Sequence, residues 1–300
     1  MASPEAHMEI ARLFAERNGE DVPLATARRN WEADAAKLEL PEGAQFRPAI
    51  AGGVPAEWVE MPDANPRRVF LFLHGGGYNA GSPKTHRKLA AYLARATGMK
   101  VLLPDYRLAP EHPFPAAVKD ALLAFGWLLS EGFKPSDIVV GGDSAGGGLA
   151  LSMLLALREA GAEMPRAAVL LAPWTDLTVS SPSYERLREN DPIINPERLR
   201  RAGEWYAGRR DPRDPMASPM FADLAGLPPM LIHAGGGEVM VDDSTLFAER
   251  AQAAGCKVTL KVWPELWHVF HHAVPDVPEA NDAIAEIGDF VKAAFGTGDE

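Results

Sequence analysis

The stretch Asp137-Ile-Val-Val-Gly-Gly-Asp-Ser-Ala-Gly-Gly-Gly148 constrains this chain more than any other. A short β-branched run, Ile138 to Val140, feeds a glycine-flanked serine, and Leu149 to Leu157 then supply an apolar helix. That order predicts strand, sharp turn, helix. Gly142-Asp143-Ser144-Ala145-Gly146 fits the G-x-S-x-G pattern, in which a serine sits on a strained turn with its hydroxyl exposed at the top of a sheet. Side chains two positions to either side would collide with the neighbouring strand and helix, so glycine is needed there. A pentapeptide with two free positions is weak evidence alone, and a glycine-rich turn of this kind also suits a phosphate cradle. The flanking strand and helix favour a nucleophilic Ser144.

Elsewhere short apolar runs alternate with helical periodicity. Val69 to Leu73 is continuously apolar, as in the middle of a parallel sheet, and ends at His74-Gly-Gly-Gly77. Further strands are expected at Glu57 to Met61, Lys100 to Leu103, Ala167 to Leu171, Met230 to Ala234 and Lys257 to Trp263. Helices are expected at about Lys84 to Thr97, Ala116 to Glu131, Asp243 to Ala254 and Glu279 to Phe295. The alternation predicts an α/β fold with a mostly parallel central sheet and right-handed crossovers. Residues 1–50 precede this pattern and carry two helical stripes, Met8, Ile10, Leu13 and Phe14, then Leu24, Trp31 and Leu38, so they are expected to lie over the core as an appendage. Ser180 to Pro219 is polar and proline-interrupted, with Pro196 to Tyr206 its best helix, and is expected to be an insertion above the sheet.

Composition removes several classes. A net charge of −11 would repel nucleic acid and anionic membranes. One cysteine, Cys256, excludes an internal disulfide. The N-terminus has neither a basic nor an apolar segment of the signal-peptide kind, and no apolar run reaches membrane-spanning length. A soluble, cytoplasmic protein of one large domain is expected, and 47% hydrophobic residues suffice for its core. No metal-ligand spacing such as H-E-x-x-H is present, so neither metal nor cofactor is expected.

In an open parallel sheet the working groups gather at the carboxyl ends of strands. A serine hydroxyl is a poor nucleophile until a histidine takes its proton. His268 follows the last strand and is the favoured partner, with His271 and His272 as positional competitors. The histidine in turn needs a carboxylate to fix its tautomer and stabilise the imidazolium. Glu238 lies past the strand Met230 to Ala234, after Gly235-Gly-Gly237, whereas Asp242 and Asp243 sit where acidic residues open a helix. Glu238 is therefore preferred, with Asp242 in reserve. The order Ser144, Glu238, His268 is serine, acid, histidine. Developing negative charge on an acyl carbonyl needs donors, and the backbone N–H groups of Gly76, Gly77 and Ala145 are assigned to that oxyanion hole.

With these residues assembled, the chain resembles the bacterial esterase branch of the hormone-sensitive lipase family of α/β-hydrolases. The matching stretches are His74-Gly-Gly-Gly-Tyr78, Asp105-Tyr-Arg-Leu-Ala-Pro-Glu-His-Pro-Phe-Pro115, Gly142-Asp-Ser-Ala-Gly146, Pro173-Trp-Thr-Asp176, Ser218-Pro219 and Trp267-His-Val-Phe270. The resemblance implies an α/β-hydrolase fold and a serine carboxylesterase acting on small esters of short to medium acyl chains. It implies an α-helical cap, here residues 1–50 plus an insertion at 180–219, on a catalytic domain of residues 51–300. It also implies that Asp143 is no triad member. The chain departs from the family at Glu238-Val-Met, where most members have aspartate, commonly followed by Pro-Leu. Met8, Phe14, Tyr78, Tyr184, Trp205 and Tyr206 either line the substrate pocket or pack the cap. The same triad would serve an amidase or lactonase, and plant gibberellin receptors resemble the family but lack the histidine present here. An exposed edge strand at Lys257 to Trp263 would permit a homodimer.

Overall fold

A computed structural model describes residues 1–17 and 22–296. Two helices open the chain, α1 (Pro4–Arg17) and α2 (Leu24–Ala35), followed by strands β1 (Gln45–Ala51), β2 (Val54–Glu60) and β3 (Asn65–Leu73). Then come α3 (Pro83–Thr97), β4 (Met99–Pro104), α4 (Ala116–Ser130), β5 (Ile138–Asp143), α5 (Ala145–Glu159) and β6 (Ala167–Leu171). The insertion carries α6 (Ser183–Arg186) and α7 (Pro196–Ala207), and the chain closes with β7 (Met230–Gly235), α8 (Val241–Ala253), β8 (Val258–Trp263) and α9 (Pro278–Phe295). The strands form one eight-stranded sheet in the order β1-β2-β4-β3-β5-β6-β7-β8, antiparallel at β1/β2 and β2/β4 and parallel elsewhere.

The two-residue period of the strands divides the core. Val69, Leu71 and Leu73 of β3 point to one face with Ile138 and Val140 of β5, against α4, α5 and α8. Phe70 and Phe72 point to the other with Val139, against α3 and α9. Both faces of the central strands are thus covered, which is why β3 and β5 are apolar at successive positions rather than at alternate ones. Fully burying each such side chain contributes roughly 1.5–3 kcal/mol.

Strand β1 begins within the 1–50 span and ends one residue beyond it, and the helical part of that span ends at Ala35. β1 was not foreseen because it is an outer strand, mostly exposed and carrying Pro48, so it lacks the apolar signature of the central strands. β8 closes the opposite edge, as expected for Lys257 to Trp263. Helix α1 is tied to α9 through Ser3, whose N–H and hydroxyl donate to Glu279, and Ala6 enters the core. Helix α2 is laid over the turn after β3. Arg28 donates to the carbonyls of Asn79 and Ala109 and pairs with Glu111.

Candidate active site

The turn between β5 and α5 places Ser144 at φ 53°, ψ −122°, a backbone region that L side chains rarely adopt. Three hydrogen bonds hold it there. The Ser144 N–H donates to the Leu171 carbonyl (2.8 Å), and its own carbonyl accepts from Trp174 (2.9 Å) and Gly148 (3.1 Å). The flanking glycines are required by contact: a Cβ at Gly142 or Gly146 would lie 2.3 or 1.9 Å from the Leu73 carbonyl oxygen. The chain therefore passes tightly against the end of β3, whose next residues form the turn His74–Gly77.

That turn supplies free donors. Gly76 and Gly77 take φ of 118° and 60°. Among the described residues no acceptor takes the N–H of Gly76, Gly77 or Ala145, the last being the first residue of α5. Asp143, just before the serine, is engaged with other partners. It is buried, accepts the Gly75 N–H (2.9 Å) and lies 3.2 Å from His86 Nε2. Burial alone would raise its pKa, but His86 and His272 outweigh that and hold it well below the ordinary carboxylate range.

His268 sits between β8 and the 3-10 turn Phe270–Ala273. Its Nδ1 is 2.5 Å from Glu238 Oε2, and Glu238 Oε1 accepts the Gly235 N–H at 3.0 Å. Both side chains are buried, and His268 Nε2 has no hydrogen-bond partner among the described residues. The longer arm of glutamate is accommodated because it folds back onto its own loop. The glycines of that loop let it lie against the segment before His268: a Cβ at Gly235 would be 2.4 Å from the Leu266 carbonyl oxygen. Burial tends to depress the His268 pKa, while the charge and hydrogen bond of Glu238 raise it, and the net direction is upward.

The competing residues are placed elsewhere. His271 Nε2 lies 3.2 Å from Nδ1 of the buried His233, and burial pushes His271 far below the usual imidazole range. His272 faces Asp143 at 3.8 Å. Asp242 accepts the Ser183 N–H (2.9 Å) and pairs with Arg186 (2.7 Å). Asp243 accepts the N–H groups of Thr175 and Asp176, and burial next to Asp176 pushes its carboxyl up to about 7. Both aspartates hold the insertion to the body of the protein.

Asp191 of that insertion is a residue the sequence did not single out. It is fully buried; Oδ2 accepts the N–H of Val239, the neighbour of Glu238, and Oδ1 accepts those of Ile193 and Ile194. A polar residue in a polar stretch gives no sequence signal of such a role, and the Asp-Pro-Ile-Ile run at 191–194 is the only hint. Ser144 and His268 open into one cavity of about 1060 Å³, whose walls include Leu13, Trp31, Ile193 and Leu199. Of the residues left open between lining the pocket and packing the cap, Met8, Tyr78, Tyr184 and Tyr206 are not among the cavity walls. Tyr78 and Tyr206 are buried and stack at 3.6 Å, Tyr184 is buried, and Met8 is largely exposed.

A buried acid–imidazole pair beside a strained serine, on an eight-stranded mostly parallel sheet, fits an α/β-hydrolase. The comparisons with known proteins agree. A family model described as the alpha/beta hydrolase fold matches residues 70–272. The chain is 42% identical over 303 residues to an acetyl-hydrolase of Streptomyces hygroscopicus, covering 99% of each. It is 38% identical over 247 residues to an esterase of Acinetobacter venetianus, covering 82% of this chain and 81% of that one. The crystal structure of an esterase from the bacterial hormone-sensitive lipase family superposes with a TM-score of 0.95 at 42% identity, over 99% of this chain and 100% of that one. The chain belongs to the hormone-sensitive lipase family of α/β-hydrolases and is a carboxylic ester hydrolase. Among the described residues no helix is long and apolar enough to cross a membrane.

Proposed function

We propose that the protein hydrolyses small carboxylic esters through an acyl-enzyme on Ser144. His268 Nε2 accepts the hydroxyl proton as Ser144 Oγ attacks the carbonyl carbon. Glu238 holds the ring through Nδ1 and stabilises the imidazolium that forms. The carbonyl oxygen, now negative, is received by the N–H groups of Gly76, Gly77 and Ala145, and loss of one such donor typically costs about 10²–10³ in kcat. His268 returns the proton to the departing alkoxide, and water then enters by the same route and releases the acid. The observation that carries this proposal is the 2.5 Å contact of His268 with Glu238, beside an unpartnered Nε2 in the cavity of Ser144.

The relatives, an acetyl-hydrolase and an esterase, favour small esters, with helices α1 and α2 and the insertion at 180–219 acting as a cap over the catalytic body of residues 51–300. Incubation with a fluorophosphonate tests the nucleophile: one adduct on the peptide containing Ser144 is expected, and a folded protein whose Ser144 stays unlabelled would instead be a receptor on this fold. Rates on a matched ester, anilide and lactone separate the esterase from an amidase or lactonase.

The pH profile follows from His268. It works as a base only when neutral, so kcat/KM rises as pH climbs through its pKa in the free enzyme. Because Glu238 lifts that pKa, the acid limb is expected above the ordinary imidazole value of about 6.5. In Glu238→Gln the limb should move to lower pH. A limb unmoved by that substitution would detach Glu238 from His268.

A further inference from the structure

We propose that His86, Asp143 and His272 form a binding site for a divalent transition-metal cation, best matched to Zn²⁺, immediately behind the Ser144 turn. No motif announces it, since the three come from the first turn of α3, the end of β5 and the 3-10 turn after His268. The fold brings their ligand atoms to within 4.8 Å of one another. His86 Nε2 is 3.2 Å from Asp143 Oδ1, and His272 Nε2 is 3.8 Å from Oδ2. Four-coordinate zinc with bonds of about 2.0–2.1 Å spaces its ligand atoms by about 3.3 Å, so only small side-chain shifts are required.

The surroundings orient the ligands. His86 Nδ1 lies 2.7 Å from Thr85 Oγ1, and the Thr85 hydroxyl is 2.8 Å from the Ser82 carbonyl. With the hydroxyl proton on that carbonyl, His86 carries its hydrogen on Nδ1 and turns the Nε2 lone pair toward Asp143 and the Gly75 N–H, 3.2 Å away. The Gly75 N–H, shared by that lone pair and Asp143 Oδ1, faces both acceptors from one side, and Oδ2, 3.3 Å from His86 Nε2, is the oxygen left for a cation. A ring nitrogen fixed by an oxygen acceptor while the other faces the metal is the usual outer arrangement of a histidine ligand. Asp143 Oδ1 is likewise held by the Gly75 N–H, which leaves Oδ2 toward His272.

Access comes from the substrate side. His86 is buried, but Asp143 and His272 line the active-site cavity, which gives the ion an entry and water for a fourth position. Two imidazoles and one carboxylate suit Zn²⁺ and disfavour Mg²⁺ and Ca²⁺, which prefer six or more oxygens. The charge of a cation bound there opposes the imidazolium that forms on His268 during turnover. The site is therefore inhibitory, a consequence that rests on the proposed mechanism, whereas binding itself does not.

Calorimetric titration of the chelator-stripped, full-length protein with ZnCl₂ tests it. One equivalent is expected, and MgCl₂ should give no signal. His272 is partly exposed, so His272→Ala is expected to keep its melting temperature while Zn²⁺ affinity falls about tenfold or more. The midpoint of Zn²⁺ inhibition of p-nitrophenyl acetate hydrolysis, scaled to each protein's own metal-free rate, should shift by the same factor. Co²⁺ should give the visible absorption of a tetrahedral ion in the wild type and lose it in the variant. Absence of stoichiometric Zn²⁺ binding, or equal binding by wild type and His272→Ala, overturns the site. Binding without inhibition overturns its regulatory effect. Because binding is read without turnover, its failure is distinct from any failure of the Ser144 assignment.

Discussion

Replacing Ser144 with alanine should lower kcat for p-nitrophenyl butyrate by about 10⁵-fold, roughly 7 kcal/mol of transition-state stabilisation, and leave the fold intact. The effect is large because the hydroxyl oxygen is the bond-forming atom of the proposed mechanism. The remaining rate over water would come from the oxyanion donors and from binding. The fold is expected to survive because the strained backbone at Ser144 is held by main-chain bonds to Leu171, Trp174 and Gly148, none of which involves the side chain. Urea unfolding should therefore change by less than about 1 kcal/mol. A variant that unfolds normally and keeps more than a few per cent of wild-type turnover would remove Ser144 from the reaction.

Glu238→Ala should cost about 10³–10⁴ in kcat, and Asp242→Ala less than tenfold. The contrast follows from what each carboxylate touches. Glu238 is bonded to His268, so its loss frees the ring to adopt the wrong tautomer and leaves a buried imidazolium uncompensated. Asp242 is bonded to Ser183 and Arg186, so its loss loosens the insertion and acts on KM before kcat. Steady-state kinetics on both variants decide the matter, and the reverse ranking would transfer the acid's role to Asp242.

What could be read in the sequence was local. Gly142 to Gly146 and His74 to Gly77 announce themselves because a backbone that must pass within van der Waals contact of another strand excludes side chains, and that exclusion is written as glycine. The central strands are legible for a similar reason, since both faces are buried. Strand β1 is not, because an exposed edge places no such demand on its residues. The cavity walls were legible only in part. The helical stripe of α1 identified Leu13, which lines the cavity, together with Met8, which points to solvent. Periodicity gives a face but not which turn of it meets the body of the protein. Asp191 and the His86, Asp143 and His272 group depend on pairings between distant segments, which no local pattern encodes.

Asp191 also bears on how this protein could be re-engineered. One oxygen of its carboxylate fixes Ile193 and Ile194, and Ile193 and Ile194 wall the cavity, while the other grips the residue next to Glu238. A cap segment grafted from a relative to widen the range of esters would therefore disturb the grip on the acid loop unless it brought an aspartate at position 191 in register. Substrate choice and proton transfer are not separable modules in this chain, and libraries aimed at the one should hold residue 191 fixed to spare the other.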